Sequence, residues 1–261
     1  MIYSLGRLFP SIQFSQRAVL IFVVLIFQIF QSFQVRAQCD PNNPYDRIIS
    51  GYHASIALKT NGVFSVWGAG MGTNGSTDRL SPVDVNYTNF GVSSADFGTP
   101  LRAALGGSTS GSAVDQAILL TSKGLWAWGV EGVVLGNTLT SSAAFARIAT
   151  PTGGDALTGL PTGVNPSDVS TIFATYQTLV LVTKIVSGVG GDVWILTQTS
   201  LAVEGNGGSV GTAGTSSWKR VKKSATANDY LTNVTMARGQ ATSASENAFV
   251  AQTSSGQLFT W

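Results

Sequence analysis

The chain has 261 residues, of which 44% are hydrophobic and 11% charged, with 15 Lys and Arg against 13 Asp and Glu, and it holds one cysteine and one histidine. That apolar share can build a packed core, which argues against a disordered or collagen-like chain. One cysteine and one histidine exclude an intrachain disulfide framework, Cys₄ and Cys₂His₂ zinc sites and every multi-histidine metal site.

Residues 1–37 read as a secretory signal peptide. Arg7 and Arg17 precede an apolar run from Ala18 to Phe27, and Val35-Arg36-Ala37 supplies the residues a signal peptidase inspects, so cleavage is expected after Ala37. A core of that length is well short of the ~20 residues needed to span a bilayer, so no membrane span is expected after cleavage. Removing Arg7, Arg17 and Arg36 takes the 15 basic residues to 12 against 13 acidic, a net charge of −1. A mature chain so balanced has no global attraction to nucleic acid or anionic membrane. Residues 38–45 follow as a Pro- and Asn-containing linker, and residues 46–261 form the body of the protein.

Four segments of that body can be laid on one another: 55–68, 117–129, 178–183 resuming at 191–196, and 248–261. Their glycines, Gly62, Gly124, Gly191 and Gly256, are 62, 67 and 65 positions apart, which marks an internal repeat. Each copy reads as a β-hairpin: a short β-favouring run, a polar turn with glycine, then a run with aromatics, and neither run contains proline. Asn61-Gly62 is the clearest turn, because both residues tolerate the positive φ of a tight bend. Apolar stretches at 47–49, 101–105, 169–174 and 234–237 precede the hairpins, and strand candidates at 82–85, 145–148 and 218–221 lie between the copies. Four short strands per unit of about 65 residues predict an all-β chain of four-stranded antiparallel propeller blades. No stretch after residue 37 keeps a helical period, which disfavours a bundle or a Rossmann-type sheet.

The copies resemble the repeats of the regulator of chromosome condensation family, with an apolar strand, a polar turn ending in glycine, an aromatic strand ending in Trp-Gly, a Gly-rich loop and Pro-Val before the next strand. Gly256-Gln257-Leu258-Phe259-Thr260-Trp261 follows that pattern without a gap, and Ser81-Pro82-Val83 and Leu135-Gly136-Asn137 match the loop and the strand after it. The likeness covers about residue 46 to the end. It departs in four places: Leu196 stands where tryptophan is expected, a Gly-rich insertion occupies 187–191, the second copy is one residue short between Gly124 and Trp128, and Ala54 stands where the family has histidine, with His53 one position early. The resemblance implies about seven blades in a closed ring, so three and a fraction blades ending at Trp261 lead us to expect the N-terminal portion of a longer propeller.

A large aromatic at a strand end fills the gap between wedge-shaped sheets, and glycine lets the backbone leave the sheet. Trp67-Gly68, Trp128-Gly129, Trp194 and Trp261 are therefore read as structural repeat residues together with the four turn glycines. Gly70 to Gly75 spells a dinucleotide fingerprint, but Asp78-Arg79-Leu80-Ser81-Pro82 follows instead of a helix, so it is read as a loop. No cofactor and no metal site is expected. A single histidine and the absence of a Gly-x-Ser-x-Gly elbow argue against a nucleophilic triad, so the chain is read as non-catalytic. Lys219, Arg220, Lys222 and Lys223 form the one basic cluster and the candidate interaction patch. The expected function is a secreted or cell-surface propeller that serves as an interaction or adhesion scaffold for an extracellular protein or glycan. The resemblance leaves two alternatives, a secreted inhibitor of an extracellular hydrolase and, more weakly, guanine nucleotide exchange.

Overall fold

A computed structural model describes residues 47–51, 53–71, 77–107, 115–129, 145–147, 153–175, 177–197, 204–205, 217–241 and 247–261. All of these lie in the second of the chain's two units, Pro41–Trp261. The leader 1–37, the linker 38–45, most of the glycine fingerprint and Leu135-Gly136-Asn137 fall outside the described residues.

The first sheet is β1 (Arg47–Ser50), β2 (Ala54–Leu58), β3 (Phe64–Gly68) and β4 (Arg79–Val85), paired in chain order and antiparallel throughout. The second repeats that order with β5 (Pro100–Gly107), β6 (Asp115–Thr121), β7 (Gly124–Gly129) and β8 (Phe145–Arg147). In the third, β9 (Val169–Thr175) and β10 (Thr178–Thr183) lead into a separate hairpin, β11 (Ile185–Val186) and β12 (Val189–Gly190). The sheet then resumes with β13 (Val193–Thr197) and β14 (Lys219–Arg220). The fourth has three strands, β15 (Val234–Ala241), β16 (Asn247–Thr253) and β17 (Leu258–Thr260). The chain is thus the all-β stack of antiparallel blades that the repeat predicts.

The register superposes the copies residue by residue. Ser55 pairs with Trp67, Ala117 with Trp128 and Leu179 with Leu196. Phe249 and Trp261 exchange two backbone hydrogen bonds of 3.0 and 3.2 Å at the corresponding place. Gly62 closes its turn by donating to the Lys59 carbonyl at 3.0 Å, and Gly256 does the same to Thr253 at 2.9 Å, with φ of 76° and 82°. The other two glycines do not hold the turns assigned to them. Gly124 already pairs with Thr121 as the first residue of β7, so the turn is Ser122-Lys123, which explains why that copy is one residue shorter. Gly191 lies beyond the inserted hairpin, whose own bend is Ser187-Gly188. A Cβ on Gly191 would lie 2.4 Å from the Val234 nitrogen, so its bare backbone lets the fourth sheet begin against the third.

Alternation of side chains along a strand explains the core. On β6, Ala117 and Leu119 join Ile56, Phe64, Val66, Trp126 and Trp128 between the first and second sheets. Their neighbours Ile118 and Leu120 join Val169, Leu179, Leu181 and Leu196 between the second and third. On β10 the pattern repeats: Val180 and Val182 pack with Val193, Ile195, Phe249 and Ala251 between the third and fourth. A central strand covered on both faces favours apolar residues at successive positions, which is why 117–120 of β6 and 179–182 of β10 read as continuous apolar runs. The first strands of successive sheets lie side by side, and Arg102 on β5 donates from Nε to the Ser170 carbonyl on β9 at 2.9 Å.

The link from the first sheet to the second holds two single-turn helices, Tyr87–Phe90 and Ser94–Phe97, capped by Asn86 and Ser93. They are too short to leave a period in the sequence. They place Phe90 5.1 Å from the Trp126 ring and 5.2 Å from Phe97, so the connection seals the inter-sheet core.

Candidate functional site

The tryptophans divide by environment. Trp128 is fully buried and donates from Nε1 to the Met71 carbonyl at 3.0 Å, which ties the second sheet to the loop after the first. Trp261 is partly buried and stacks on Phe249 at 5.4 Å. Trp67 is partly buried, and pairing opposite Ser55 puts it on the face of the first sheet turned away from the second. The glycines after Trp67 and Trp128 have φ of 110° and 105°, and a Cβ there would lie 2.4 Å from the His53 carbonyl and 2.6 Å from that of Asp115. Their role is close backbone approach to the neighbouring strand.

Trp194 belongs to a different arrangement. It stands opposite Arg220 in the β13–β14 register, so the two side chains share a face at the outer edge of the third sheet. Together with Trp218, Lys219, Lys222 and Tyr230 they line a cleft of about 440 Å³. Trp218 is buried and anchors the wall, its Nε1 donating to the Gly159 carbonyl at 2.8 Å. The opposite wall is built by the excursion between Val221 and Leu231. Its base is held by Leu231 donating to the Val221 carbonyl at 2.9 Å and by the bridge between Lys222 and Tyr230. Arg220 is held from two sides: its Nη2 contacts Asp192 Oδ1 at 2.5 Å, and its guanidinium carbon lies 4.5 Å from the centre of the Tyr230 ring.

The basic cluster therefore separates into parts. Arg220 and Lys223 each face a carboxylate, Lys223 Nζ lying 3.0 Å from Asp229. Asp229 sits below its ordinary value because the Ser224 hydroxyl and the Lys223 ammonium both donate to it. Among the described residues Lys219 and Lys222 make no ion pair, so two cations at the cleft remain uncompensated. Trp194 Nε1 and Arg220 Nε are both shielded from water and, among the described residues, have no acceptor. Among the described residues no group of three His, Cys, Asp or Glu side chains comes together.

The sequence located the cations of this cleft but not its aromatic walls. Trp194 was grouped with the packing residues, and Tyr230 lies ten positions beyond Arg220, joined to it by the fold. A second feature missed in the sequence is the threonine ending the first hairpin strand. Thr121 accepts from the Lys123 amide at 3.2 Å, Thr183 accepts from the Asp192 amide at 2.9 Å, and Thr253 bonds the Ser255 hydroxyl at 2.9 Å. Its recurrence in three copies was the available signal.

No protein-family model and no curated protein matches the sequence. Solved structures share its fold. Human WBSCR16 superposes with a TM-score of 0.51 at 15% identity, covering 85% of this chain and 48% of its own. Prp20p from Saccharomyces cerevisiae, studied for its binding to Gsp1p and histones, gives 0.54 at 16% identity, over 83% of this chain and 43% of its own. The chain thus spans somewhat less than half the length of either. It has the β-propeller repeat fold of the regulator of chromosome condensation family.

Proposed function

We propose that this chain is an exported, non-catalytic β-propeller that binds an extracellular protein or glycan through the cleft at the outer edge of its third sheet. The observation that carries this reading is the cleft itself. Aromatic rings and uncompensated cations are gathered there on strands whose backbones are locked into a stacked sheet, and Trp218 and Arg220 are fixed by the Gly159 carbonyl and Asp192. A binding surface held by a rigid scaffold loses little conformational entropy when occupied. The leader read from residues 1–37 supports export, and the charge balance of the remainder points away from nucleic acid.

The reading is tested by expressing the full chain with a C-terminal tag. The expected product lies in the extracellular or surface fraction with Gln38 at its N-terminus by mass spectrometry, and deleting residues 1–37 retains it inside. Accumulation of an unprocessed chain in the cell would overturn the proposal. Reaction with any panel of extracellular hydrolase substrates would overturn its non-catalytic part.

A further inference from the structure

We infer that the cleft is a site for an acidic saccharide, a sugar ring bearing a carboxylate or sulfate; this rests on the reading of the chain as an exported binding scaffold and names its ligand class. Trp194, Trp218 and Tyr230 supply aromatic surface around a volume of about 440 Å³, within the range of small-ligand sites. The C–H face of a pyranose carries slight positive charge and packs well against the negative face of an aromatic ring. Lys219 and Lys222 supply the charge that Asp192 and Asp229 leave uncompensated in this cluster.

The alternative of a peptide added to the sheet edge fits less well. The outer strand β14 is only two residues long, Lys219–Arg220, and Val221 beyond it donates back to the Val193 carbonyl at 2.9 Å. So short an edge leaves little ladder for an incoming strand.

The test uses the purified exported chain in affinity electrophoresis and calorimetry against polygalacturonate, dextran sulfate and neutral dextran. Binding to one or both acidic polymers is expected, with little to dextran, and the pattern identifies carboxylate or sulfate as the group recognised. Lys219→Gln with Lys222→Gln should weaken Kd about tenfold and flatten its dependence on salt. Trp194→Leu, which keeps apolar bulk but removes the aromatic face, should weaken binding at unchanged salt dependence. Lys223→Gln should leave it unchanged, because that ammonium faces Asp229. Equal binding to dextran, or affinity unaffected in the double lysine variant with a wild-type circular dichroism spectrum, overturns the assignment. An exported chain that binds none of the three polymers overturns the saccharide site alone, whereas a chain that binds them but is never exported overturns the scaffold reading alone.

Discussion

At the scale of single residues, close approach decides more than composition. Trp128 is fully buried, with its indole nitrogen bonded to the Met71 carbonyl, so Trp128→Ala should cost ~3–5 kcal/mol in urea unfolding. Two glycines of the repeat, the turn glycine Gly256 and the strand-end glycine Gly129, should respond differently to alanine. Gly256 has φ of 82° with nothing within 4 Å of its Cβ position, so only backbone strain of about 1–2 kcal/mol is expected. At Gly129 the new methyl would lie 2.6 Å from the Asp115 carbonyl, and Gly129→Ala should cost clearly more than Gly256→Ala in the same melts. Asp115 makes a pH prediction. Its buried carboxylate accepts from the His53 amide at 3.0 Å, the ring of His53 being the titratable group beside it. Burial raises its pKa above the ordinary 3.8, and the bonds from the His53 and Ala54 amides only partly oppose this. The native state then binds the proton more tightly than the unfolded chain. The stabilisation is complete below about pH 3.8 and is lost as pH rises through the folded value. Asp115→Asn should remove that part of the dependence, measured as urea midpoints across a pH series.

At the scale of elements, the two-sided strand is the unit that the sequence shows and the packing explains. Leu119 and Leu120 are chain neighbours, yet one lies between the first and second sheets and the other between the second and third. Each alanine substitution should cost ~2–5 kcal/mol, and the pair should add to within about 0.5 kcal/mol because they share no cluster. Strong coupling in equilibrium unfolding would mean that the two layers are not independent. The edge strand β4 admits Pro82, since an outer strand can lack a ladder donor without breaking the sheet. Strand positions were legible because period-two alternation and apolar runs follow from which faces are covered. The insertion at 187–191 was legible only as a disturbance. That it folds as a hairpin with Val186 and Val189 exposed depends on β10 and β13 meeting behind it.

For the whole molecule, each described sheet packs against its sequence neighbours, as stacked repeats do. Amide hydrogen exchange should therefore be slowest along β6 and β10, whose residues are buried on both faces, and faster along β17, where Leu258 is 65% exposed. Uniform protection across all four sheets would contradict a layered stack. By itself the sequence determined the repeat, its strands and the cations of the cleft, because spacing and alternation are properties of the chain read in order. The tertiary structure alone decided which glycines bend and which touch, which cations Asp192 and Asp229 neutralise, and that Tyr230 and Trp194 wall a shared cleft. Those outcomes depend on distances that are not spacings along the chain, and such distances are set only when strands and loops pack on one another.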